Sequence, residues 1–82
     1  MPLSAGDEGL LGHLKQLRMG LARERGVPAY VIFPDRALHD MAVKKPCTIE
    51  EFADIHGVGR AKLRDFAAIF VDAIRGRQAA ST

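Results

Sequence analysis

Leucines recur at positions 10, 14, 17 and 21, a spacing of four, three and four residues. That is the spacing of one apolar stripe on a helix. Leu11 and Ala22 widen the stripe, and polar residues fill the gaps between. The pattern predicts an amphipathic helix from about Glu8 to Arg25, stopped by Gly26 and kept stopped by Pro28. Gly20 inside it lowers helix propensity and predicts some local looseness. The next apolar run is Tyr30-Val31-Ile32-Phe33. Its side chains favour a strand, but the chain holds no second run for it to pair with. Residues 29–33 therefore read as an extended or one-turn 3₁₀ connector that lends side chains to the core.

Asp35 reads as the cap of a second helix running to about Val43, with Leu38, Met41 and Ala42 inward and Pro46 beyond its end. Thr48-Ile49-Glu50-Glu51 has capping-box spacing, with Thr48 at the N-cap and Glu51 at N3. It opens a short third helix that turns Phe52, Ala53 and Ile55 inward. His56-Gly57-Val58-Gly59 makes a tight turn. A last helix, from about Arg60 to Arg75, buries Leu63, Phe66, Ala67, Phe70 and Ile74. The expected fold is all-α, a compact bundle of about five short helices. Residues 1–7 show no periodicity and read as a linker. Residues 8–76 form the helical domain, and residues 77–82 are a tail.

Length sets the next boundary. Eighty-two residues make one small domain, too small to carry a nucleotide-binding fold with its own active site. The size suggests a module cut from a longer chain. A single cysteine, Cys47, excludes an internal disulfide. His13, His39 and His56 show no Cys/His spacing that suits zinc, and His39 and His56 read as surface or turn residues. No apolar run reaches the roughly 20 residues of a membrane span, and no signal peptide is apparent. A reduced, cytoplasmic module without metal or cofactor is the expectation, as is a monomer with no membrane partner. Catalysis is excluded on residues: the serines, Ser4 and Ser81, lie near the ends, and Cys47 reads as a small filler beside a helix cap. The acidic residues show no acid/base or metal pairing.

Charge becomes informative only when divided along the chain. The total is +2, but residues 1–29 carry +1, residues 30–56 carry −2 and residues 57–82 carry +3. The basic third opens on Gly57-Val58-Gly59-Arg60-Ala61-Lys62, which is neither a P-loop nor a dinucleotide fingerprint. Two readings fit it. The glycines could turn main-chain N–H groups outward at a helix N-terminus, where a phosphate is attracted beside Arg60 and Lys62; or they could only make the turn between packed helices. On a helical wheel Arg60 and Arg64 share one flank and Lys62 takes the other. Tyr30, the single tyrosine, either stacks on an exposed base near Lys44 and Lys45 or plugs the core with its hydroxyl outside. Asp40, Glu50, Glu51 and Asp54 make an acidic face suited to a basic neighbour, or a solvated surface.

Taken in order, these residues resemble the HRDC domain, the helicase-and-RNase-D C-terminal domain. The likeness runs through Leu14-x-x-Leu17-Arg18, Gly26-Val27-Pro28-Ala29-Tyr30-Val31-Ile32-Phe33 and Leu38-x-x-Met41-Ala42. It continues through Pro46-x-Thr48, Ile55-x-Gly57-Val58-Gly59-x-Ala61-Lys62-Leu63 and Phe66. It covers roughly residues 8–76. The resemblance implies a five-helix bundle and a non-catalytic, accessory nucleic-acid-binding role in a RecQ-type DNA helicase, tuning structure-specific DNA binding and unwinding in repair and recombination. It implies DNA (single-stranded, partial-duplex or junction, weakly bound) and other domains of the parent as partners. Tyr30 takes the family's aromatic position and Lys62 that of the common Lys after Gly-x-Gly. Lys44 and Lys45 fall where basic residues can join a patch. Gly57, Gly59, Arg60 and Arg64 complete the candidate nucleic-acid set. Arg60 departs from a frequent Pro, and Ala67-Ala68 from an aromatic-glycine context, so the last helix can run on. Two alternatives stand beside this: a docking module acting through Asp40, Glu50, Glu51 and Asp54, and an RNA-binding accessory domain of an RNase D-type nuclease.

Overall fold

The computed structural model describes residues 3–80. Met1, Pro2, Ser81 and Thr82, the outer parts of the expected linker and tail, lie outside the described residues. Five helices follow one another: α1 (Ala5–Arg25), α2 (Ala29–Ile32), α3 (Asp35–Lys44), α4 (Ile49–Ala53) and α5 (Arg60–Ala80). No strand occurs among the described residues.

α1 starts earlier than its leucine stripe. The Ser4 hydroxyl accepts the Asp7 N–H at 3.1 Å, and Asp7 and Glu8 place negative charge in the first turn, where the helix dipole favours it. At the far end Gly26 adopts φ 65°. Its N–H donates to Arg23 at 3.3 Å and that of Val27 to Ala22 at 3.0 Å, a Schellman closure that only a residue tolerant of positive φ allows cheaply. Leu10, Leu11, Leu14 and Ala22 are buried, while Leu17 and Leu21 pack partly exposed against the core.

Three local expectations need correction. Residues 29–32 form a single α-helical turn rather than an extended or 3₁₀ connector. Pro28 supplies its start: the Val31 N–H donates to the Pro28 carbonyl at 3.0 Å, and a proline has no N–H of its own to leave unpaired there. Asp35 is not the cap of α3. Pro34 holds that position, and the Asp35 carboxylate instead receives Arg18 of α1 at 2.8 Å. Ala53 is exposed; with only five residues in α4, Phe52 and Ile55 reach the core and Ala53 lies on the other side.

The capping box of α4 is present in shifted form. Thr48 accepts the Glu51 N–H at 3.1 Å, and the Glu51 carboxylate accepts the N–H of Cys47 at 2.8 Å. α5 extends five residues past the expected Arg75, to Ala80.

Phe33 is the hub of the core. Its ring meets those of Phe52, Phe66 and Phe70 edge-on, with centroids 5.9, 5.8 and 5.1 Å apart, the favoured aromatic geometry. α4 and α5 thereby meet at a residue just past α2. α1 packs on α2, α3 and α5, and α4 packs on α5.

Candidate nucleic-acid interface

α1 and α5 run antiparallel. The Arg25 guanidinium, in the last turn of α1, lies 4.7 Å from the centre of the Phe66 ring near the start of α5. At the other end of the same pair of helices, Gly6, Leu10, Ile74 and Arg77 line one small groove with Lys45. With a rise of about 1.5 Å per residue, Asp7 and Arg25 stand about 27 Å apart along α1, most of the molecule's 34 Å length. The two ends therefore carry separate chemistry.

The first end gathers Tyr30, Lys62 and Arg25. Tyr30 is 70% exposed. Lys62 lies 5.5 Å from the centre of the Phe66 ring, and its ammonium donates to the Val31 carbonyl. Phe66 is thus flanked by two cations, with the tyrosine one residue before the carbonyl that Lys62 holds. Sequence reasoning missed Arg25. Its signal was a basic residue in the last helical turn before Gly26, which reads equally well as a charge complementing the helix dipole.

The other expected binding residues do not converge there. Two residues of helix are about 200° of rotation, so Arg60 and Arg64 face away from the flank on which Lys62 meets α2. Arg60 is exposed. Arg64 pairs with its neighbour Asp65 at 3.1 Å. Gly57 has φ 82°, whereas Gly59 is outside the left-handed region and its carbonyl accepts the Leu63 N–H at 2.9 Å. Gly57 makes the turn, and Gly59 starts the helix. Lys44 and Lys45 lie toward the second end. Lys44 pairs with Asp40 at 3.2 Å. Lys45 donates to Asp7 from a left-handed backbone, φ 50°, that closes α3.

The acidic face divides in the same way. Asp40 accepts the His56 N–H at 3.0 Å as well as the Lys44 ammonium. Burial alone raises its pKa, but the His56 N–H and Lys44 together hold the carboxyl below its ordinary value. Glu51 is committed to capping. Glu50 and Asp54 are exposed. Among the described residues, no trio of His, Cys, Asp and Glu is placed to hold a metal ion, and no helix is long and apolar enough to cross a membrane.

Comparison with known proteins places this geometry in a family. The HRDC domain model matches residues 7–74. An "ATP-dependent DNA helicase RecQ" from Pasteurella multocida is 38% identical over 69 residues, 84% of this chain and 11% of that protein. The protein of the same name from Bacillus subtilis is 34% identical over 69 residues, 84% of this chain and 12% of that protein. An "ATP-dependent DNA helicase UvrD2" from Mycobacterium tuberculosis is 38% identical over 71 residues, 87% of this chain and 10% of that protein. The chain spans about a tenth of the curated relatives it matches. A family match over most of the chain, on a five-helix fold with no strand among the described residues, makes this chain a member of the HRDC domain family.

Proposed function

We propose that this chain is the non-catalytic, nucleic-acid-binding accessory domain of an ATP-dependent DNA helicase. In this reading it holds DNA weakly and tunes which DNA structures the parent engages during repair and recombination. The observation that carries the reading is Tyr30. A tyrosine 70% exposed, on the end of the molecule that also carries Arg25 and Lys62 beside Phe66, offers a π-face for an unpaired base within reach of cations. Stacking on such a ring is sequence-tolerant because every base has a π-face. The relatives named RecQ and UvrD2 share the description "ATP-dependent DNA helicase", which supports the parent's class without choosing between the two.

Binding should be weak, with a Kd of about 10⁻⁴–10⁻⁶ M at physiological salt. If three or four phosphates of a single strand are contacted, log K against log salt falls with a slope of about −2 to −3. The test is titration of the 82-residue chain with single-stranded, partial-duplex and junction DNA at two salt concentrations. Binding that is indifferent to salt, or unaffected by Tyr30→Ala, removes the reading.

A second reading rests on Glu50 and Asp54, exposed and without side-chain partners among the described residues. They leave an acidic strip free to dock on a basic neighbour, such as another domain of the parent.

A further inference from the structure

The cation expected to meet a phosphate is engaged inside the protein. Lys62 points its ammonium at the Val31 carbonyl and lays it near the Phe66 ring. That carbonyl belongs to α2, a helix of four residues, Ala29–Ile32. The last four carbonyls of any helix lack an intrahelical partner, so a helix this short has none satisfied from within. One turn of helix is also unstable on its own, because nucleation fixes several dihedrals for a single hydrogen bond. No side chain caps its start, where Pro28 stands.

α2 is therefore held from outside. Ile32 and Phe33 anchor it in the core. Arg18 of α1 donates to the Phe33 carbonyl at 2.9 Å, and Lys62 of α5 takes the Val31 carbonyl. Tyr30 has no comparable restraint of its own, since its side chain stands largely in solvent. What fixes the direction of the ring is the backbone one residue away, and Lys62 fixes that backbone.

We infer that Lys62 is a positioning residue for Tyr30, presenting the ring to a nucleobase through the Val31 carbonyl, and that it does not bind a phosphate. The inference rests on the reading of Tyr30 as the stacking residue. The two roles differ in a measurable way. A lysine that neutralises a phosphate of a single strand contributes about 0.7 to the salt slope. A lysine that only positions a ring contributes affinity and leaves the slope alone.

The chain has one tyrosine and no tryptophan, so its intrinsic emission reports Tyr30. The experiment compares the wild-type chain with Lys62→Met, which keeps an apolar stem over Phe66 and removes the ammonium. Emission anisotropy is read without DNA; emission quenching is then followed during titration with oligothymidylate at several salt concentrations. Lys62→Met should lower the anisotropy of Tyr30 while helical circular dichroism is retained. Its affinity for oligothymidylate should fall about 3–10-fold, part of what a stacked base is worth, on a salt slope parallel to the wild type. A slope shallower by about 0.7 makes Lys62 a phosphate ligand and overturns the inference. Unchanged anisotropy or unchanged affinity overturns it as well. Should Lys62→Met lose its helical signal, Lys62→Gln decides with the opposite expectation. Its neutral amide keeps an N–H donor for the Val31 carbonyl, so anisotropy, affinity and slope should stay near the wild type, and a loss of affinity with a slope shallower by about 0.7 overturns the inference. A wild-type Tyr30 that ignores oligothymidylate removes the premise and the inference with it; the DNA-free anisotropy tells that result apart from a missing tether.

Discussion

Arg18 of α1 and Asp35 of α3 form an ion pair of 2.8 Å across the junction between α2 and α3. The same guanidinium nitrogen donates to the Phe33 carbonyl. The Arg18 side chain is 11% exposed and that of Asp35 is 68% exposed, so the two partners should not count equally. Arg18→Ala strands a part-buried carbonyl and should cost about 1–3 kcal/mol. Asp35→Asn removes only an exposed charge and should cost under about 1 kcal/mol. Urea unfolding of both variants checks the ranking. Equal costs would mean that Arg18 serves the carboxylate and not the carbonyl.

Acid should weaken the fold through three aspartates. The Lys45 ammonium holds Asp7 below its ordinary value, and the Arg18 guanidinium does the same for Asp35. At Asp40, burial raises the pKa, but the His56 N–H and Lys44 outweigh it. Each folded-state value therefore lies under the unfolded one near 3.8. The stability they contribute is complete above that unfolded value and is lost as pH falls through the folded ones. Thermal melts should hold a plateau near neutrality and decline below about pH 4. The side chains of Asp7 and Asp40 are 20% and 23% exposed, so Asp7→Asn and Asp40→Asn should flatten the decline more than Asp35→Asn, whose pair is screened by water. A decline of equal steepness in all three variants would assign acid sensitivity elsewhere.

The difference between what could and could not be read from the chain follows from the range of each interaction. The leucine stripe, Gly26, the Thr48 cap and the glycine turn are local signals, and each falls where the sequence places it. Residues 29–33 were illegible locally, because their apolar content suits a strand, while the helical turn that forms is held by burial of Ile32 and Phe33 and by distant Lys62 and Arg18. Asp35 was misread for the same reason: its partner lies 17 residues back. In the candidate interface the wheel separated Lys62 from Arg60 and Arg64. It could not show that Arg25, on another helix, would meet Phe66.

Phe33 should be the least replaceable residue of the core. It is fully buried and meets three other phenylalanines edge-on. Phe33→Ala should cost about 3–5 kcal/mol, a large part of the roughly 5–15 kcal/mol that holds a domain folded. Phe66→Ala should fall in the same range by area, yet Arg25 and Lys62 lie over its ring, so these side chains can close over part of the gap. Denaturant midpoints compare the two directly, and Phe33→Ala tolerated better than Phe66→Ala contradicts the hub.

Lys45 tests backbone against side chain. Its left-handed backbone costs a non-glycine residue about 1–2 kcal/mol, and its ammonium pairs with Asp7. Lys45→Ala loses the pair and keeps the strain. Lys45→Gly loses the same pair but relieves the strain, less the entropy glycine gives up on folding. Lys45→Gly should therefore be more stable than Lys45→Ala by about 0.5–1 kcal/mol. Melting temperatures of the two variants settle the sign; an Ala variant at least as stable would show that the turn relaxes once Asp7 is released.

The acidic strip separates the two functional readings by electrostatics alone. Glu50 and Asp54 are exposed, and they repel any polyanion that approaches the basic third of the chain. Glu50→Gln combined with Asp54→Asn should raise affinity for oligothymidylate about two- to threefold at low salt, through the long-range field and without a new contact. The gain should vanish at high salt, because the screening length falls from about 10 Å at 0.1 M to about 3 Å at 1 M. If the strip docks on a basic domain of the parent, the same double substitution in the parent helicase should loosen that domain contact and change its unwinding, while the isolated domain gains DNA affinity. Unwinding that tracks only the DNA affinity of the domain leaves the strip as a solvated surface and removes the docking reading.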